Sequence, residues 1–127
     1  MDLNEPLVTL VSKVDGAFGA ILSDREGEEV TSYSLAKVAG LSEVEMEDRM
    51  KLLGAYQTIN LNTCRQLARQ FQMGKTKQMI CRYDLATVLI RSLNGDYALI
   101  LAMQNDGNIG KGMFYLNQAA ELINQDL

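Results

Sequence analysis

Residues 85–104 form two apolar runs, LATVLIRSL and YALILAMQ, joined by Asn-Gly-Asp. Asn94-Gly95 predicts a two-residue type I′ hairpin turn, because both central residues of that turn need φ > 0. Glycine adopts such angles freely, and asparagine more readily than most residues. The expected register sets Leu93 opposite Asp96, Ile90 opposite Leu99 and Val88 opposite Leu101. One face then carries Ala86, Val88, Ile90, Tyr97, Leu99, Leu101 and Met103, and the other Leu85, Leu89, Ala98, Ile100 and Ala102. Both faces are apolar, so the pair belongs mid-sheet with a cover on each side. A single long helix through the stretch is disfavoured by the Asn-Gly-Asp interruption.

Upstream the pattern changes period twice. Asn4 as N-cap, with Glu5 and Pro6 behind it, starts a helix over 5–14 whose stripe is Leu7, Leu10, Val11 and Val14. Residues 16–23 (GAFGAILS) read as a buried strand, with Gly19 marking a bulge or a close backbone approach. Residues 24–27 (DREG) make a turn and 29–35 (EVTSYSL) a second strand. The turn lacks the repeated acidic ligands of a calcium loop.

After a connector over 36–41, Ser42 and Glu45 form an S-x-x-E capping box, with Leu41 and Met46 placed as a hydrophobic staple. The helix is expected to run to Met73, with Gly74 at C′. That is about 31 residues and roughly 45 Å, against a radius of gyration of roughly 14 Å for a chain this size. Met46, Met50, Leu53, Leu61, Cys64, Ala68 and Phe71 share one stripe, broken by Gln57. Leu52, Tyr56, Ile59 and Leu67 share a second, about 100° away. Glu47, Lys51, Thr58, Asn62, Arg65, Arg69 and Gln72 make a polar sector. One apolar stripe docks on the sheet, and the second needs a further cover or widens the same core face.

Residues 75–83 read as a strand preceding the hairpin, with Met79, Cys81 and Tyr83 on one side and Gln78, Ile80 and Arg82 on the other. At a sheet edge, Lys75 and Lys77 are the charges that discourage stray strand addition. Asn108 then caps a helix with the face Ile109, Met113, Leu116, Ala120, Ile123 and Leu127. The order is α-β-β-α-β-β-β-α, an α/β sandwich with a five-stranded antiparallel sheet and helices on both faces. It reads as a single domain over 1–127 with no repeat or linker.

Composition narrows the chemistry. The 127 residues carry 47% hydrophobic and 22% charged side chains and a net charge of −4, which speaks against nucleic acid as a partner. No apolar run is long enough for membrane insertion, and the acidic N-terminus is unlike a secretory signal, so a cytoplasmic location is expected. Cys64 and Cys81 lack metal-ligand spacing and read as reduced thiols. Histidine is absent, which removes the commonest general base and zinc ligand. No catalytic residue, cofactor or metal site is expected.

The ordered landmarks resemble the roadblock (dynein light chain roadblock type) family. VDGAFGAILSDREGEEVTSYS is similar to the family's opening of strand, D-x-x-G turn and strand. KQMICRYDLATVLIRSLNGDYALILAMQNDGNIGKGMFYLNQAAELI is similar to its closing half, where Asn108, Ile109 and Gly110 stand for an N-x-G helix start. EMEDRMKLLGAY departs from the Ala-rich middle helix of many members. The resemblance implies a profilin-like fold that dimerises through the strand before the central hairpin and through the long helix. Those elements correspond here to Gln78, Met79, Ile80 and Cys81, and to Leu52, Tyr56 and Ile59. It implies a non-enzymatic platform for Ras-like small GTPases or motors, the bacterial MglB-like members acting as GTPase activators. Lys51, Arg65 and Arg69 are then candidate GTPase contacts, with a solvated helix face as their ordinary reading. The alternative is a structural homodimer subunit that leaves nucleotide turnover unchanged. A small-molecule sensor or enzyme would need convergent polar groups that the sequence does not offer.

Overall fold

A computed structural model describes residues 2–127. In chain order the elements are α1 (Asn4–Lys13), β1 (Ala17–Ser23), β2 (Glu29–Ser34), α2 (Ala36–Ala39), α3 (Glu43–Gln70), β3 (Gln78–Arg82), β4 (Thr87–Ser92), β5 (Ala98–Met103) and α4 (Ile109–Asn124). All strand pairs are antiparallel, in the order β2-β1-β5-β4-β3, so β2 and β3 are the edges. The expected α/β sandwich is what forms, with a single helical turn, α2, inside the connector.

Burial follows the pleat. Leu22, Leu89, Leu99, Leu101 and Met103 join Leu7, Leu10, Val11, Leu116, Ala120 and Ile123 in the layer under α1 and α4. Ile21, Val88, Ile90, Ala98 and Ile100 join Met46, Met50 and Leu61 under α3. Gly112 sits deep enough in α4 that a Cβ there would lie 2.9 Å from Leu89 Cδ1. Gly19 marks both a register shift of β1 against β5 and a close approach of Met50, as its place in the strand suggested.

The central hairpin differs from expectation by one residue. Ile90 pairs with Ile100 and Val88 with Ala102, and Leu93 N–H donates to Tyr97 O at 2.8 Å. The positive φ angles fall on Gly95 (67°) and Asp96 (63°), not on Asn94 and Gly95. Asn94 is an extra residue opposite Tyr97, and α4 accounts for it. Its backbone N–H donates to Asn124 Oδ1 at 2.9 Å and its side-chain amide to Asn124 O at 3.3 Å. Because side chains alternate with period two, this slip regroups Val88 and Ile90 with Ala98, Ile100 and Ala102.

Other expectations shift locally. Asn4 is the first residue of α1 and does not cap it; its amide crosses to Thr31 Oγ1 (2.8 Å) and Ser32 O (2.9 Å) on β2. Asp2 Oδ1 accepts from the Asn4 N–H at 3.0 Å instead. The Ser42–Glu45 capping box forms as read. At its other end α3 stops at Gln70, short of Met73. Met73 N–H bonds Ala68 O at 2.9 Å and Gln72 N–H bonds Arg69 O at 3.3 Å, a Schellman closure with Gln72 at C′ (φ 55°). Gly74 lies beyond the cap, and Phe71 is 67% exposed, outside the core stripe it extends on paper. Leu127 lies past the end of α4 and is exposed.

Candidate interaction surface

Helix α3 crosses one sheet face and presents three different flanks. The docked stripe contains Met46, Met50, Gln57, Leu61 and Ala68, all buried. Gln57, the polar break in that stripe, is 3% exposed and hydrogen-bonded through both its amide nitrogen and its amide oxygen. Its Nε2 donates to Tyr83 Oη at 3.0 Å, while its Oε1 accepts from Asn60 Nδ2 (3.2 Å) and from the Cys81 thiol (3.7 Å). A buried amide paired at both its nitrogen and its oxygen costs less than an unpaired one and fixes geometry. Here it fixes α3 against the edge strand β3.

The second stripe is bare. Leu52 is 58% exposed, Tyr56 63% and Ile59 58%, with Leu67 exposed further along. Scattered exposed apolar residues are ordinary, but four at helical spacing on one flank are a patch. At the sheet edge, β3 pairs only with β4, so one margin of the strand carries backbone donors and acceptors that no described strand meets. Along β3, Met79 and Cys81 turn toward the α3 layer. Gln78 and Ile80 are exposed, Ile80 at 48%. Gln57 thus ties the docked stripe of α3 to the sheet layer that Met79 and Cys81 also face.

The third flank holds the basic candidates and separates them. Lys51 and Arg69 are both exposed and lie five turns apart, about 27 Å along the axis. Arg65 is half-buried and engaged. Its guanidinium donates to Asn62 Oδ1 (2.9 Å), Asp96 O (3.2 Å), Tyr97 O (3.4 Å) and the Ser92 hydroxyl. Burial lowers its pKa from the usual arginine value, Asp96 opposing and Arg69 adding to the shift. Arg65 thus latches α3 to the β4–β5 turn. Thr58, placed in the polar sector by its spacing, is 2% exposed. The β1–β2 turn covers it, with Gly27 packed on Ala55 and Thr58.

Arg65 and Arg69 also form one wall of an open cleft of about 730 Å³, completed by Lys75, Lys77 and Arg91. Sequence spacing gave no warning of this grouping, since the five cations come from a helix, a connector and an inner strand. Among the described residues, no group of three or more His, Cys, Asp or Glu side chains is arranged to hold a metal. No described helix is long and apolar enough to cross a membrane.

This backbone superposes on a Roadblock/LC7 domain from Streptomyces avermitilis with a TM-score of 0.82, over 97% of this chain and 95% of that one, at 14% identity. The chain has the roadblock fold. MglC from Myxococcus xanthus shares it at a TM-score of 0.74 and 22% identity, over 100% of both chains. So does an MglB in a tetrameric arrangement, at 0.82 and 16%, over 97% of this chain and 85% of that one. No protein-family model matches the chain, and no curated protein matches it by sequence. The roadblock fold is carried here by the order of strands and the alternation of apolar positions, at few shared identities.

Proposed function

We propose that this chain is a non-catalytic dimeric regulator that binds a Ras-like small GTPase and alters its nucleotide cycle, acting as an activator. The observation that carries the reading is the bare apolar flank of α3 in a fold that also leaves one edge of β3 without a described partner strand. Such a pair of surfaces suits self-association. Edge strands extend a sheet across a two-fold axis, and paired helices hide the exposed stripe. In this dimer Gln78, Met79, Ile80 and Cys81 meet their copies, as do Leu52, Tyr56 and Ile59. The likeness in fold to MglB and MglC supports the same reading. The paired helices present Lys51 and Arg69 to the GTPase. Arg65 shapes that face from beneath, its guanidinium being engaged by the β4–β5 turn. An activator of this kind acts by favouring one arrangement of its partner's switch regions.

The test is single-turnover GTP hydrolysis by the Ras-like GTPase, with and without the purified protein, beside direct binding to the GDP and GTP forms. We expect binding and at least a tenfold faster hydrolysis, and a tenfold weaker complex for Lys51→Glu with Arg69→Glu. Binding with an unchanged rate would identify a structural subunit instead. Failure to bind either form would remove the GTPase from the reading.

A further inference from the structure

We propose that the cleft at the C-terminal end of α3 is an anion site for a triphosphate or longer phosphate chain. Arg65, Arg69, Lys75, Lys77 and Arg91 line it, against a single carboxylate, Asp96. The chain carries 12 Lys and Arg in all and is acidic overall, at net −4. Five of the 12 therefore converge on one cleft, against the sign of the molecule. A helix C-terminus favours one or two cations through its dipole, which accounts for Arg65 and Arg69. It does not account for Lys75 and Lys77 on the connector or Arg91 on β4. Like charges brought together this way repel each other, and a bound polyanion relieves that repulsion.

Several donors are available. Among the described residues, no hydrogen bond or ion pair occupies the side chains of Arg69, Lys75 or Lys77. Arg91 Nη1 donates to Lys77 O at 3.3 Å, while its Nε is buried with no partner. Arg65 and Arg91 are thus held in place by the fold, and Arg69, Lys75 and Lys77 stand exposed around them. The Nη groups of Arg65 already serve the fold, so Arg65 contributes its charge to the cleft, and the phosphate contacts fall to Arg69, Lys75 and Lys77 with the remaining Nη hydrogens of Arg91.

Size and charge choose among anions. A cleft of about 730 Å³ falls in the range of small-molecule sites. Five cations and one carboxylate match a triphosphate chain, with about four negative charges at neutral pH. An acidic peptide spreads the same charge over a longer path than this cleft offers. No aromatic residue lines it, so a nucleobase has nothing to stack on. Recognition therefore rests on the phosphates, and free polyphosphate and nucleoside triphosphates bind alike.

Titration calorimetry of the full chain at low salt tests this with sodium tripolyphosphate, ATP, GTP, inorganic phosphate and guanosine. We expect one site per chain, affinities for tripolyphosphate, ATP and GTP within threefold of one another, at least tenfold weaker binding of phosphate, and no response to guanosine. Added salt weakens all of them. Lys75→Gln with Lys77→Gln, both exposed, loses at least tenfold, while Lys111→Gln on α4 changes binding less than twofold. No saturable binding of tripolyphosphate overturns the site. So does equal binding by the lysine variant, a strong preference for one base, or tight binding of a poly-glutamate peptide without binding of tripolyphosphate. None of these outcomes bears on hydrolysis by the GTPase, so the two proposals fail separately.

Discussion

Gly27 stands at φ +84° in the β1–β2 turn, and a Cβ there would lie 3.2 Å from Ala55 Cα and 3.4 Å from Thr58 Cβ. The turn is tied by Asp24, whose Oδ1 accepts from Glu26 N–H (2.9 Å) and Glu28 N–H (3.0 Å). An added methyl meets strain from the left-handed backbone and must push the α3 main chain back by a few tenths of an ångström. Gly27→Ala is therefore expected to destabilise by about 2 kcal/mol, read as a lower urea midpoint with an unchanged slope. An unchanged midpoint would mean that the turn does not rest on α3. The D-x-x-G turn was legible from composition alone. That its glycine presses on a helix starting sixteen residues later was not, because no local rule reports which element covers which.

At the scale of elements, α3 shows both kinds of boundary. Its start is local chemistry, Ser42 and Glu45 exchanging bonds at 3.2 and 3.4 Å. Its end ignores the obvious glycine and uses Gln72 in left-handed backbone. The Schellman closure there draws Met73 back onto Ala68, so the helix has ended before Gly74 arrives. A non-glycine residue at that position carries strain that glycine lacks, partly offset by glycine's greater freedom when unfolded. Gln72→Gly is expected to stabilise by about 0.5 kcal/mol, seen as a small rise in Tm by circular dichroism. A fall in Tm would show that the Gln72 side chain contributes contacts outweighing its strain. The central hairpin repeats the lesson. Turn chemistry located it, but Asn124 on α4 claimed Asn94 and moved the turn by one residue.

For the whole molecule the question is what covers the α3 flank. A helix with Leu52, Tyr56 and Ile59 in water, in a fold that also leaves one edge of its sheet unpaired by any described strand, has the form of half an interface. The wild-type protein should scatter light as twice its 14.1 kDa chain mass at micromolar concentration. Leu52→Glu with Ile59→Glu should halve that mass while the circular dichroism spectrum stays helical, since both residues are exposed within one chain. A wild-type monomer at that concentration would overturn the dimer. The cleft of five cations, by contrast, needs no second copy to exist.

The amphipathic stripe of α3, the apolar run on both sides of 85–104 and the capping signals at Ser42 and Asn108 are statements about neighbours in sequence. They sufficed for the number of strands, the covered sheet and the second helical stripe, because burial imposes periods of 2 and 3.6 on any chain that folds around them. The register of the hairpin, the burial of Thr58, the capture of Arg65 by the β4–β5 turn and the gathering of Arg91 with Lys75 and Lys77 depend on contacts between elements far apart in sequence. Only packing sets those contacts: a shift of one residue or one helical turn changes which side chains meet, and local propensity is nearly indifferent to it.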